Sequence, residues 1–226
     1  MKRSYISISA DDVAQASDAE LFGQLASSLP FALEPAQRSA WEYQIAHLRE
    51  LAVELPAAHF FMEFLIPHMG RRADLVLITQ GIIFVVEYKL GARRYDRSSL
   101  DQVYGYGLDL KHFHETSHTP TIVPILVATH APDDTDQSLQ WDEDGLAKPM
   151  RVNAGGLAPA INFVCRVWGS QALDPLTWEA GRYRPTPTID EAAQALYRGH
   201  AVEEISRSEA GAENLTHTAD YVANAI

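Results

Sequence analysis

One cysteine, Cys165, stands in 226 residues, which excludes an internal disulfide framework and fits a reducing compartment. No run approaches the ~20 consecutive apolar residues of a membrane helix. The first residues, "MKRSYISISADDVAQ", lack the apolar core of a secretory signal. These absences lead us to expect a cytoplasmic protein with no membrane contact. No GxxxxGK[ST] loop occurs, so the chain carries no NTPase of its own, and no GxSxG elbow supports serine hydrolysis. Internal repeats and low-complexity tracts are also missing. Positive charge is scarce: 18 Lys and Arg stand against 30 Asp and Glu, a net charge of −12. That balance argues against a coat protein that binds nucleic acid by charge alone. The remainder, 46% hydrophobic and 21% charged, is ordinary for a globular chain with room for one domain and an appended segment.

The scarce cations are not evenly spread. Between Gly70 and Arg97, Arg71, Arg72, Lys89, Arg93, Arg94 and Arg97 face only Asp74, Glu87 and Asp96, a net of +3 that leaves −15 elsewhere. A local basic strip around an acidic pair suits a polyanionic substrate.

The periodicity predicts a mixed α/β core. Residues 1–38 read as an N-terminal extension with a short helix at "SDAELFGQLASSL". Ser39 and Glu42 form a capping box for a helix carrying Trp41, Ile45, Leu48, Leu51 and Leu55, ended by Pro56. Three strand-like runs follow, "HFFMEFLI", "ADLVLIT" and "IIFVVEYKL", the last two joined by a tight turn at Gln80-Gly81. A helix at "SSLDQVYGYGLDLKHFH" is weakened by Gly105 and Gly107, at about 1 kcal/mol each. "TIVPILVATHA" reads as a buried strand whose Pro124 implies an edge or a bulge. The acidic "PDDTDQSLQWDEDGLAKP" reads as a surface excursion, and "MRVNAGGLAPAINFVCRVW" as strand, turn and helix. From Thr177 onward only helical patterns remain.

In a hairpin turning at Gln80-Gly81, Asp74 falls at the strand end where Glu87 and Lys89 sit, and alternation puts Glu87 and Lys89 on one face. Two carboxylates at a sheet end form a hard-oxygen site suited to Mg²⁺ or Mn²⁺. An adjacent lysine can orient water and offset charge on a phosphate. The same letters also describe a solvated hairpin with weak cross-strand pairs. Gln102 and Tyr106, four residues apart, share one face of the following helix.

Taken together, "RADLVLI…GIIFVVEYKLG…DQVYGYGLDL" resembles the PD-(D/E)xK nuclease superfamily, in the RecB-like branch that bears a QxxxY helix. The resemblance spans roughly residues 39–131; Ala73 stands where the family often has proline. It implies a restriction-endonuclease-like core, a central mixed sheet flanked by helices, over residues 39–176. It implies metal ligation by Asp74, Glu87 and the Tyr88 carbonyl, a water-assisting Lys89, and Gln102 and Tyr106 as an accessory pair. Arg71, Arg72, Arg93, Arg94 and Arg97 become candidate phosphate contacts. A further acidic ligand would be Glu63, which interrupts an apolar strand, in preference to the capping-box residue Glu42. The implied activity is Mg²⁺- or Mn²⁺-dependent hydrolysis of DNA phosphodiesters, with RNA also open.

Residues 177–226 are similar to the helical linker that joins a nuclease-like domain to an ATPase in DUF2075 helicase-type proteins. That similarity implies a helicase or ATPase partner, on the same chain or separate, in phage defence or DNA processing; self-association stays open. Two rivals are a silent nuclease-like module that binds nucleic acid or acts as a scaffold beside an ATPase, and a hydrolase of another phosphate ester. His112, His114 and His118 read as surface histidines rather than a zinc site, "NAGG" as a turn, and Cys165 as a small buried residue.

Overall fold

Gln80 and Gly81 have φ of 48° and 76°. Both central residues of the two-residue turn are thus left-handed, the type I′ geometry whose twist matches that of the flanking strands. They join β3 (Arg71–Thr79) to β4 (Ile82–Lys89), the hairpin predicted from the sequence. The computed structural model describes residues 3–30, 32–67, 69–132, 139–170 and 173–197.

Six strands form one mixed sheet in the order β1-β2-β3-β4-β5-β6. β1 (Ile6–Ser9), β2 (His59–Ile66), β3 and β4 pair antiparallel in succession. β5 (Thr121–Ala128) and β6 (Met150–Val152) then add in parallel, after a crossover through α4 (Arg97–Phe113). The expected α/β class, a mixed sheet flanked by helices, is what the chain forms. One face packs against α1 (Ala10–Gln15), α2 (Asp18–Ser27), α3 (Pro35–Glu54) and α5 (Leu157–Trp168) through Val13, Leu25, Trp41, Ile45, Leu48 and Ile161. The other packs against α4, with Val103, Tyr106 and Leu110 over Val76, Ile83 and Val85. Trp178, in the short α6 (Pro175–Glu179), closes that side. Alternate residues of β3 and β4 point to opposite cores, so these strands are apolar almost throughout.

Four expectations require correction. Residues 1–38 are not an extension: β1 pairs with β2, and Ile6, Val13, Leu21 and Leu25 are core residues. Met1–Arg184 forms one compact unit, not 39–176. A four-residue strand followed at once by helix is too short to show a period of two. Second, α3 begins at Pro35 with Glu34 at the N-cap position. Pro35 is pre-set for the first helical turn and lacks the N–H that would go unbonded there. Ser39 lies inside the helix, its hydroxyl donating to the Pro35 carbonyl at 3.2 Å, and Glu42 pairs with Arg38 at 3.9 Å. Third, β5 is not an edge strand, although Pro124 itself pairs only with Val85 of β4, so the expected edge is local to it. The Ile122 N–H bonds outward to Gly145 O, so alternation turns the Pro124 nitrogen the same way. That edge is interrupted between the Ile122↔Leu146 bridge and the Ile125↔Met150 pair. Fourth, His114 is fully buried, its Nδ1 paired with the Ser117 hydroxyl at 2.7 Å, and burial lowers its pKa to about 3.

The second unit comprises Pro185–Ile226. Its described part holds α7 (Pro187–Tyr197), in keeping with the helical reading. The remaining linker expected to residue 226 lies outside the described residues.

The two glycines that weaken α4 have different reasons to be there. A Cβ on Gly107 would stand 2.9 Å from both Leu146 Cδ1 and Pro124 Cγ, whereas one on Gly105 would meet only Met69 Cε, at 3.5 Å. Alanine should therefore have opposite signs at the two sites. We expect Gly105→Ala to stabilise by up to about 1 kcal/mol through helix propensity. Gly107→Ala should destabilise by about 1–3 kcal/mol through overpacking, as read by urea unfolding of each variant.

Candidate metal centre

The register of β2 on β3 runs Met62↔Leu75 and then Phe64↔Ala73, with no pair recorded for Glu63 and Asp74 between them. The ribbon exchanges faces at this row. Met62 and Leu75 lie in the α3-side core, Phe64 and Ala73 in the α4-side core. The local cause is Glu63, whose φ of 53° no other residue of these strands shares. A non-glycine residue held there is strained and persists only where its surroundings fix it. Trp41 Nε1–H donates to Glu63 Oε1 at 2.7 Å, and the Arg72 guanidinium donates to the Glu63 carbonyl.

β3 and β4 also part at this row, their last pair being Leu75↔Val86. The Asp74 side chain fills the opening, its Oδ2 accepting from the Tyr88 N–H at 2.7 Å. A strand residue directs its N–H and C=O to the same edge. The Tyr88 carbonyl therefore faces the same opening, while the next carbonyl, of Lys89, turns the other way and accepts from the Thr129 N–H. Asp74, Glu87 and the Tyr88 carbonyl thus lie at one splayed hairpin end, the end at which the hairpin pattern places Asp74 with Glu87 and Lys89.

Glu87 is 6% exposed and faces α4. Its Oε1 accepts from Lys89 Nζ at 3.0 Å and from Gln102 Nε2 at 2.8 Å. Gln102 Oε1 in turn accepts from Lys89 Nζ at 3.2 Å, and Gln102 Nε2 also donates to the Tyr106 hydroxyl at 2.7 Å. Both amide hydrogens of Gln102 are thereby used, which leaves the Tyr106 O–H proton for another acceptor. The QxxxY spacing thus joins the ExK pair into one bonded set. Glu87 Oε2, buried, has no hydrogen-bond partner among the described residues. A carboxylate oxygen buried without a donor is costly unless something cationic meets it.

Burial, then the neighbouring Glu87 charge, pushes the Asp74 carboxyl well above the usual carboxylate range. Glu87 is raised as well, chiefly by burial, with Lys89, Gln102 and the Asp74 main-chain N–H pulling the other way. Glu63 is raised by burial, opposed by the Trp41 bond and Arg72, with Glu87 adding to the rise. The three acids stand close enough to disfavour one another's charged forms. Among the described residues no three His, Cys, Asp or Glu side chains converge at ligand spacing, so the site rests on two carboxylates and a carbonyl.

The arginines separate. Arg71 is exposed and lies near enough to Tyr106 to lower its phenol pKa against the larger effect of burial. Arg93 and Arg94 are exposed in the loop after β4, and Arg97 is exposed beside Asp101 at 3.8 Å. Arg72 is not free for a phosphate: its guanidinium bonds the carbonyls of Arg3 and Glu63 and lies 4.0 Å from the Tyr5 ring centroid. Two residues near the site escape the sequence patterns. Trp41 is the donor that holds Glu63, and His47 on α3 bonds the Tyr88 hydroxyl at 2.9 Å. The one signal for His47 is its place on the buried stripe of α3, between Gln44, Ile45 and Leu48.

The raised Asp74 pKa fixes the sign of a stability test. A group whose folded pKa lies above its unfolded value favours folding while it holds its proton, and loses that contribution as pH rises through the folded value. In chelator, Asp74→Asn keeps an acceptor for the Tyr88 N–H and removes the buried charge. We expect it to raise Tm, by about 2–4 °C for each kcal/mol relieved, and to raise it more at pH 8 than at pH 5. Thermal unfolding at the two pH values checks this.

Comparison of the chain with family models, with curated proteins and with solved structures returns no match.

Proposed function

We propose that the chain is a divalent-metal-dependent nuclease that hydrolyses phosphodiester bonds, DNA being the first substrate to test and RNA the second. The observation that carries this reading is the buried Glu87 carboxylate, whose Oε2 makes no full hydrogen bond among the described residues, beside Asp74 and next to a lysine bonded to the other oxygen. A hard divalent ion would satisfy that oxygen. The resemblance of the ExK strand and QxxxY helix to the PD-(D/E)xK superfamily points the same way.

Asp74, Glu87 and the Tyr88 carbonyl would hold Mg²⁺ or Mn²⁺, and Glu63 would contribute negative charge rather than a ligand. The ion, when bound, supplies Lewis acidity toward the phosphate and a lower pKa for its water. Lys89 Nζ, held by Glu87 and Gln102, orients the attacking water and offsets charge developing on the phosphate. Tyr106, buried, supports the Gln102 amide that holds Lys89, and the exposed Arg71 lies near it. Arg93, Arg94 and Arg97 form the exposed rim along which a polyanion would lie. Among the described residues no helix is long and apolar enough to cross a membrane. Action beside a helicase or ATPase in phage defence or DNA processing rests on the resemblance of the C-terminal segment alone.

The test is cleavage of linear duplex, circular duplex and single-stranded DNA and of RNA, with Mg²⁺, Mn²⁺ or chelator. We expect ion-dependent cutting that falls by about 10²–10³-fold or more in Asp74→Ala and Lys89→Ala. Wild-type protein that cuts nothing with either ion but still retards DNA in a gel would favour the silent binding module instead.

A further inference from the structure

Tyr88 stands between the two charged residues of the ExK strand, and its side chain points away from them into the α3-side core, 6% exposed. Its hydroxyl is nevertheless paired. The Ala154 carbonyl can only accept, so His47 Nε2 carries the proton and donates to it, at 3.1 Å. His47 Nδ1 is then the bare nitrogen, and it accepts from the Tyr88 O–H at 2.9 Å. His47 is 5% exposed, and the two rings meet edge to face with centroids 5.7 Å apart. Ala154 lies in the turn between β6 and α5, itself closed by the Gly156 N–H on Asn153 Oδ1 at 2.9 Å.

A phenylalanine and a leucine would fill this volume without desolvating a hydroxyl and an imidazole. The polar pair therefore supplies something that apolar packing does not, namely direction. Direction is needed here because β3 no longer pairs with β4 beyond Val86. The main chain at Tyr88 must hold its N–H for Asp74 and its carbonyl toward the same opening, without a neighbouring strand on that edge.

We propose that His47 and Tyr88 are positioning residues for the candidate metal centre. The bonded line from the Ala154 carbonyl through His47 to the Tyr88 hydroxyl fixes the Tyr88 main chain, and through it Asp74 and Glu87. This rests on the metal-site reading above. Neither residue touches the ion or the substrate; the line acts from the opposite face of the sheet.

The experiment measures Mn²⁺ binding by calorimetry on the full chain without nucleic acid, together with hydrogen exchange at the Tyr88 amide. Tyr88→Phe removes one oxygen, His47→Leu removes both bonds, and His47→Gln keeps an acceptor and a donor. We expect Mn²⁺ affinity to fall about 10-fold or more in the first two variants and to recover toward wild type in His47→Gln. Exchange at the Tyr88 amide should quicken in step, with amides of the β2–β3 ladder unchanged. A residue that merely supports the fold would lower Tm and leave the affinity of the folded protein alone. If Tyr88→Phe does not fold at the assay temperature, the two His47 variants decide. Wild-type binding of Mn²⁺ that all folded variants share, with unaltered exchange, overturns the positioning role. Wild type that binds no Mn²⁺ overturns the metal-site reading first and this role with it.

Discussion

The parting of β3 from β4 after Leu75↔Val86 is the constraint on which the site depends. Had the ladder continued, the Tyr88 N–H and carbonyl would be spent on β3, and Asp74 would be one more side chain on a sheet face. Because it stops, one edge of β4 is left with a donor and an acceptor that regular structure does not satisfy. Asp74 takes the donor and leaves the acceptor facing the opening. The parting is supported two strands away. Glu63 at φ 53° turns the β2–β3 ribbon over at the same row, and Trp41 and Arg72 hold Glu63 in that conformation. The strain is local, and its partners come from α3 and β3.

The electrostatics follow from the same opening. Glu63, Asp74 and Glu87 lie on three neighbouring strands near one row, each with its carboxyl pKa raised first by burial. Lys89 is the one cation bonded to a carboxylate of the group among the described residues, at one oxygen of Glu87, while Arg72 bonds the Glu63 carbonyl. Burying several acids with few cations is unfavourable for folding alone. Gln102 moderates the cost by bonding acid, lysine and tyrosine at once.

How much of this could be read from residues alone depends on range in the chain. The hairpin was legible because Gln80-Gly81 supplies two left-handed residues between apolar runs. The Glu87–Lys89 pair and the Gln102–Tyr106 face were legible because periods of 2 and 3.6 place such residues together. The first strand was not, because Ile6–Ser9 is too short for periodicity to show. The start of α3 was misplaced because Ser39 and Glu42 imitate a capping box, while Pro35 is the true signal. The bond from Trp41 to Glu63 and the line from His47 to Tyr88 span 22 and 41 residues, and no spacing rule reaches so far. Arg72 shows the converse limit. Its charge was visible, but its commitment to two carbonyls and the Tyr5 ring arises only when β1 lies beside β2.

Packing and chemistry meet last in the placement of α4. Gln102 can bridge Glu87 and Lys89 only if the helix axis lies close to the sheet, because an amide side chain is short. One close approach is at Gly107, where the absent Cβ lets the helix settle against Pro124 and Leu146. Pro124 has no N–H to give, and it occupies the stretch of β5 whose outer edge is interrupted. The residue that looks least suited to a strand and the residue that looks least suited to a helix are therefore in contact with each other. Their contact lies next to Tyr106 and about one and a half turns along α4 from Gln102, so it bears on the height at which that pair meets the ExK strand.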